Sequence, residues 1–306
     1  NTKTSIEAAW KYIIICSVGI IFALFGTIIF YYAASSAGAG KSLNWTDIVS
    51  AAGKLDKNIV KVAFIFIIVG YGTKAGLAPK HSWLPDAHSH AISPISALLS
   101  GVLLKTAIYA ILRFAIIASK SAGFEYCAKL FIIFGFISLI ISAGFILIQK
   151  NLKRLLAYSS IEHIGIISLA LGLGGPIGFY AAFLHIINHA VTKPLMFFCA
   201  GLIVKRYKRD NLNVIKGVIS SMPWTGVMFT LGMFALAGMP PFSIFFSEFL
   251  ILFNGFSSGR YMISIAFLSL LVIIFAGIVY RLSRIIFGKK PETMAVFKES
   301  FAVKGA

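Results

Sequence analysis

A chain of 306 residues that is 58% apolar and only 12% charged, with a mean hydropathy of +0.90, leaves no room for a soluble domain beside its apolar segments. The net charge of +18 invites a nucleic-acid reading, but the basic residues lie mainly in loops between apolar spans, which excludes it in favour of a membrane protein. Cys16, Cys127 and Cys199 lie in or near those spans without close spacing, so neither a disulfide framework nor a metal knuckle is expected.

A bilayer crossing needs about 20 mostly apolar residues. Eight segments qualify, at 10–33, 59–79, 94–118, 127–149, 154–173, 177–204, 224–253 and 261–287. Backbone amides in lipid need internal partners, so all eight are predicted to be helices, and the fold class is an all-α integral membrane protein. The link between the first two spans holds Leu43, Ile48, Val49, Ala52 and Leu55 at a spacing that predicts one apolar face of a short surface helix.

The second span carries Lys74 inside an apolar run, close to Gly70, Gly72, Gly76 and Pro79. An ammonium near the bilayer centre costs at least ~2.5 kcal/mol. A charge at an interrupted membrane helix is the usual layout of an ion-handling site. The following loop, KHSWLPDAHSHAISPIS, offers His81, Asp86, His88 and His90. Histidine and carboxylate can bind zinc, but no second cluster has ligand spacing. Pro85, Pro94 and the LPDA turn point instead to a rigid cap on the broken helix. Span three carries Lys105, Tyr109 and Arg113 at steps of four, one helical stripe. Span five opens with AYSSIEHIGII, bringing Tyr158, Ser159, Ser160, Glu162 and His163 into or near the membrane.

Span six places His185, His189 and Lys193 at steps of four, beside Asn188, Thr192 and Pro194. Such a stripe covers ~12 Å of rise. Span seven is interrupted by Gly238, Pro240 and Pro241, with Glu248 following inside the membrane zone. Two interrupted helices in corresponding places are the sequence pointer to a transporter built from repeats. Burial brings lysine and glutamate side chains towards titration near neutral pH, and histidine titrates there already. The residue types therefore suit stepwise proton or cation transfer.

With the N-terminus inside, one set of loops holds Lys150, Lys153 and Arg154; Lys205, Arg206, Lys208, Arg209 and Lys216; and Arg281, Arg284, Lys289 and Lys290. The opposite loops hold fewer basic residues, among them Lys41, Lys54, Lys57, Lys61, Lys120, Lys129 and Arg260. The positive-inside rule puts both ends in the cytoplasm, in the plasma (inner) membrane of the cell.

The run KAGLAPKHSWLPDAHSHAISPISALLSGVLLKTAIYAILRF (74–114), with KRLLAYSSIEHIGII and LHIINHAVTKPLMFFCAGLI, resembles the signature of the antiporter-like membrane subunits. These occur in respiratory complex I, in membrane-bound nickel–iron hydrogenases and in Mrp-type cation/proton antiporters. LAPKHSWLPDAHS, LLSGVLLKTAIYAILRF and GMPPFSIFFSEF are similar to the hydrogenase-4 component F branch. The resemblance covers most of the chain and implies helices six to thirteen of about fourteen in an inverted-repeat fold. An incomplete first repeat would occupy 1–118, a second repeat 127–287, and a peripheral tail 291–306.

The resemblance implies a proton-exchanging role for Lys74, a connecting role for Lys105, relay roles for His185 and His189, and terminal exchange at Glu248. Lys193 joins them by its place on the span-six stripe, with Glu162, His163, Asp86 and His88 supporting. The family pairs the first lysine with a glutamate on a helix that would precede Asn1.

The expected function is proton or cation translocation as a subunit of a redox-driven complex of hydrogenase-4 or NADH-quinone oxidoreductase type. Partners would be other membrane and redox subunits and the lipid bilayer, with no nucleic acid and no cofactor or metal of its own. Without an iron–sulfur cysteine motif or a nucleotide fingerprint, electrons are expected to move in the partners. A stand-alone or Mrp-type antiporter, a membrane enzyme using His185 and His189 as haem or metal ligands, and a purely structural subunit remain the alternatives.

Overall fold

The computed structural model describes residues 3–38, 43–291 and 297. The chain begins with α1 (Lys3–Ser36), the short α2 (Trp45–Ala51), α3 (Lys57–Ala75) and α4 (Trp83–His90). Helix α5 (Ser93–Leu98) runs through a π turn at Leu99–Leu103 into α6 (Leu104–Ala122). Then come α7 (Phe124–Ile148), α8 (Leu152–Leu173), α9 (Gly175–Tyr207), α10 (Val218–Ser221), α11 (Pro223–Leu236), α12 (Ser243–Ser257) and α13 (Tyr261–Phe287). Among the described residues there is no strand, only an isolated bridge between Asn151 and Asn211. Seven helical segments are long and apolar enough to cross a membrane, with α5 to α6 counted as one. The crossing expected at 224–253 is interrupted, as Gly238, Pro240 and Pro241 predict, into two half-length apolar helices, α11 and α12, of 14 and 15 residues. The expected tail lies outside the described residues, apart from Pro291 and Phe297.

Helix α8 is the axis of the bundle. Its whole apolar window is enclosed, with α4, α7, α9 and α12 packed around it. Helices α1 and α13 are the least enclosed of the spanning helices. They turn Ile14, Ile20 and Ile21, or Met262, Ile265 and Val272, outward, as a lipid-facing rim requires.

The first break is placed differently from the sequence reading. Gly70 and Gly72 do not interrupt α3, which runs unbroken to Ala75 and ends at Gly76, φ +83°. Gly70 serves packing: a Cβ there would lie 2.4 Å from Ala23 N and 2.7 Å from Gly19 O of α1. Small residues let two membrane helices approach backbone to backbone. LPDA is also not a turn. It opens α4, with Pro85 in the first turn, where a helix has no use for the missing N–H. The surface helix forms at α2, burying Ile48 and, just beyond it, Ala52 and Leu55, but Leu43 is left exposed. In the third span Gly101 lies at the π turn, where a Cβ would be 2.9 Å from Pro194 Cγ. The two irregular stretches of α5–α6 and α9 thus meet, and each is followed or preceded closely by a lysine, Lys105 or Lys193.

Gly70→Leu should force α1 and α3 apart, because the atoms in its way are backbone. The expected cost is about 1–3 kcal/mol, read as a lower melting temperature in detergent. Gly144→Leu, where an added Cβ meets nothing within 4 Å, is the control and should melt close to wild type.

Candidate functional site: a buried polar tract

The polar residues of the membrane zone converge on α8. Lys193 of α9 is fully buried and donates to the Leu156 carbonyl at 2.8 Å and to Ser159 Oγ at 2.5 Å. The same carbonyl accepts from Ser160 Oγ at 3.1 Å, and Ser160 Oγ lies 2.8 Å from Ser100 Oγ in the π turn. Lys105, just past that turn, donates to the Ser100 carbonyl. A π turn shifts the backbone pairing register, and here one of its carbonyls holds an ammonium. Glu162, one turn above Tyr158 on α8, is 2% exposed, interacts with the charge of Lys193 and has Oε2 without a hydrogen-bond partner.

Beyond Glu162 the tract continues through histidines. His163 of α8 stands beside both His185 and His189 of α9, with ring centroids 5.1 and 4.7 Å away. His163 Nδ1 is 2.9 Å from His185 Nε2, and His185 Nδ1 is 2.9 Å from Ser247 Oγ of α12. Ser247 gives its hydroxyl proton to the Ile244 carbonyl at 2.8 Å. Its oxygen therefore accepts from His185 Nδ1–H. That assigns the His185 lone pair to Nε2 and makes His163 Nδ1–H the donor between the rings. His189 is fully buried and neither ring nitrogen has a hydrogen-bond partner.

Glu248 closes the tract on α12, one residue from Ser247 and 7% exposed. Its carboxylate fills the place where Gly238 has no side chain: a Cβ there would be 2.1 Å from Oε2. Gly238 also holds φ +68°, a left-handed conformation that favours glycine. The second break therefore does two things at once. It ends α11, and it seats the acid.

The structure thus brings Lys105, Glu162, His163, His185, His189, Lys193 and Glu248 into one enclosed region spanning α6, α8, α9 and α12. Lys74 stands apart from it. In the last turn of α3 it donates to Tyr12 OH of α1 at 2.7 Å and lies over the Tyr12 ring at 4.5 Å, with the Trp83 ring at 6.0 Å. The charges of the two breaks are not equivalent in position, since Lys74 precedes its glycine by two residues while Glu248 follows its own by ten, in the helix after the break. The stripe of Lys105, Tyr109 and Arg113 is not one buried face. Tyr109 is exposed, and Arg113 stacks 3.7 Å from the Trp45 ring of α2.

Asp86 takes Arg154 at 2.8 Å and Lys11 at 3.1 Å, and Lys11 also meets Glu7 at 2.7 Å. This clamp ties α4 to the starts of α1 and α8. His88 is fully buried, stacks on Phe197 of α9 at 4.9 Å and 17°, and has both ring nitrogens unpartnered. The tract members that the sequence reading did not single out are Ser100, Ser247 and the Leu156 carbonyl. A lone serine in an apolar span is the signal for the first two; a backbone carbonyl leaves none.

Residues 1–274 match the family model described as NADH:quinone oxidoreductase/Mrp antiporter, TM. The chain is 44% identical over 259 residues to the hydrogenase-4 component F homolog of Methylacidiphilum infernorum, covering 84% of this chain and 54% of that protein. It is 32% identical over 268 residues to NADH-quinone oxidoreductase subunit N of Desulforudis audaxviator, covering 85% and 51%. It superposes on a chain of the membrane-bound sulfane sulfur reductase, an archaeal respiratory membrane complex, with a TM-score of 0.90 and 29% identity, over 99% of this chain and 61% of the other. The chain therefore spans about half the length of the two curated relatives.

Gly238→Ala should unseat the Glu248 carboxylate and strain the backbone. Gly259→Ala carries the backbone strain alone, since φ is +73° and nothing lies within 4 Å of the added Cβ. Each strained residue costs about 1–3 kcal/mol. Gly238→Ala is expected to melt measurably below Gly259→Ala, the difference reporting the displaced acid.

Proposed function

Because the chain belongs to the NADH:quinone oxidoreductase/Mrp antiporter transmembrane family, we propose that it carries protons across the membrane as a subunit of a redox-driven complex. The observation that supports this reading most is the continuity of the buried tract from Lys105 to Glu248. Lysines, histidines and carboxylates enclosed together cannot all hold their charged forms, so the state of one sets the state of the next.

In this reading Lys105 and Lys193 exchange protons through the Ser100–Ser160 and Ser159 hydroxyls and intervening water. Glu162 balances the charge of Lys193 when that lysine is protonated. His189, His163 and His185 pass a proton between α9 and α8 by tautomer exchange, the His185 lone pair receiving from His163. Glu248 releases it beside the break at Gly238. Lys74, beside its own break, is a separate exchange point, and Asp86 and His88 belong to α4, between Lys74 and Lys105 in the chain. Each proton transfer along the tract is reversible, so direction is set by the driving subunits.

The parent complex is of hydrogenase-4 or NADH-quinone oxidoreductase type, because relatives bearing those names exceed 30% identity over most of this chain. Electron transfer belongs to partner subunits. An Mrp-type antiporter is the second reading, supported by the family description itself. The repeats 1–118 and 127–287, the plasma membrane and the cytoplasmic placement of both ends complete the proposal, the last from the distribution of basic loops.

The test uses the full-length subunit in its assembled complex, reconstituted in vesicles with a pH-sensitive dye. Glu248→Gln keeps shape and removes exchange, so proton translocation should fall at least about tenfold, the low side of what a lost acid–base group costs, with assembly intact. Lys74→Ala should also reduce it sharply. Wild-type translocation in both assembled variants would overturn the reading.

A further inference from the structure

The histidine end of the tract has the makings of a metal site. One ligand atom from each of His163, His185 and Glu248 lies within 4.8 Å of the others, and the three residues come from α8, α9 and α12. We propose that these three side chains bind a divalent ion of the zinc class, and that the bound ion blocks the tract. The inhibitory part rests on the proton-carrying reading above; the binding part does not.

The geometry is close to what such an ion needs. Zinc–nitrogen bonds of about 2.0–2.1 Å set neighbouring ligands of a tetrahedral site roughly 3.3 Å apart. His163 Nδ1 and His185 Nε2 are already 2.9 Å apart, so the pair must open by only a few tenths of an ångström. Two imidazoles and one carboxylate suit borderline ions such as zinc and copper. Calcium and magnesium, which demand six or more oxygens, are poorly served. Ser247 supplies the outer support. By accepting from His185 Nδ1–H it points the Nε2 lone pair into the site.

The ion competes with a proton. His163 Nδ1 carries the proton that bridges the two rings. To become a ligand, His163 moves that proton to Nε2, and Glu248 enters as the carboxylate, releasing any proton it holds. The fourth position is left for water. Bound in this way, the ion takes both rings and the acid out of exchange together. Glu248, at the break and slightly exposed, is the side through which an ion arrives.

The experiment uses the full-length subunit. Purified protein is titrated with copper(II) and read by electron paramagnetic resonance, and zinc chloride is added to reconstituted vesicles during proton translocation. The expected result is one copper site with hyperfine structure from two nitrogens, and arrest of translocation by zinc that a chelator reverses. Glu248→Gln should weaken metal binding at least about tenfold, and His185→Gln should remove one nitrogen from the spectrum. Removing the histidines at the two ends of α4 with His81→Ala and His90→Ala should leave the spectrum unchanged. Retention of the full signal in both Glu248→Gln and His185→Gln, or its loss on removal of those two histidines, would overturn the site. A site that forms as described while zinc leaves translocation untouched would overturn the block. Should Glu248→Gln and Lys74→Ala both translocate normally while wild-type protein shows the two-nitrogen copper site, the proton-carrying reading falls and the metal site stands.

Discussion

Burying charge where there is no water governs this molecule. Helix α8 is enclosed on every side and still carries Ser159, Ser160, Glu162 and His163. An effective penalty of several kcal/mol for each buried ion has to be offset by its neighbours. Each hydrogen bond to a charged group returns about 1.5–3 kcal/mol. Lys193 makes two such bonds, to the Leu156 carbonyl and Ser159. Lys105 takes the Ser100 carbonyl, which lies in the π turn. The surrounding helices are therefore positioned as much by polar partners as by apolar packing. The atoms left over are informative as well. His189, His88 and one oxygen of Glu162 are buried without a protein partner. Such groups need a reason to persist, and groups that must change protonation state have one.

The irregular backbone falls where that constraint needs it. The π turn at Leu99–Leu103 and the proline at 194 meet at Gly101, where a side chain would not fit. The two lysines of the tract stand on either side of that meeting point. At the other end, Gly238 lends the space of a missing side chain to the Glu248 carboxylate. At the π turn, Ser100 and Gly101 are buried in protein, away from lipid, where irregular backbone is tolerable in a membrane.

The same glycine residue type carries three different meanings here. Gly76 and Gly238 adopt positive φ and end helices. Gly70 and Gly19 stay helical and let α1 and α3 touch. Gly101 clears space for a proline on another helix. In the linear sequence Gly70, Gly72 and Gly76 look alike, all within a span of seven residues. Gly76 is set apart by its own positive φ, whereas the packing role of Gly70 shows only when α1 is in place, because it rests on the distance to atoms far away in the chain.

Membrane character, helical class and the broad positions of the crossings were determined by the sequence alone. Twenty apolar residues in lipid have one backbone solution, and that rule acts locally. The stripe of His185, His189 and Lys193 was legible for the same reason, since a step of four is a property of one helix. Pairing across helices was not legible. That Lys193 meets the Leu156 carbonyl, that His163 faces His185, and that Ser247 orients the pair depend on which helices pack against α8 and at what height. Tyr109 shows the limit from the other direction: it shares a stripe with Lys105 yet faces outward, because helical periodicity defines a face and only tertiary packing decides whether that face meets lipid, water or another helix.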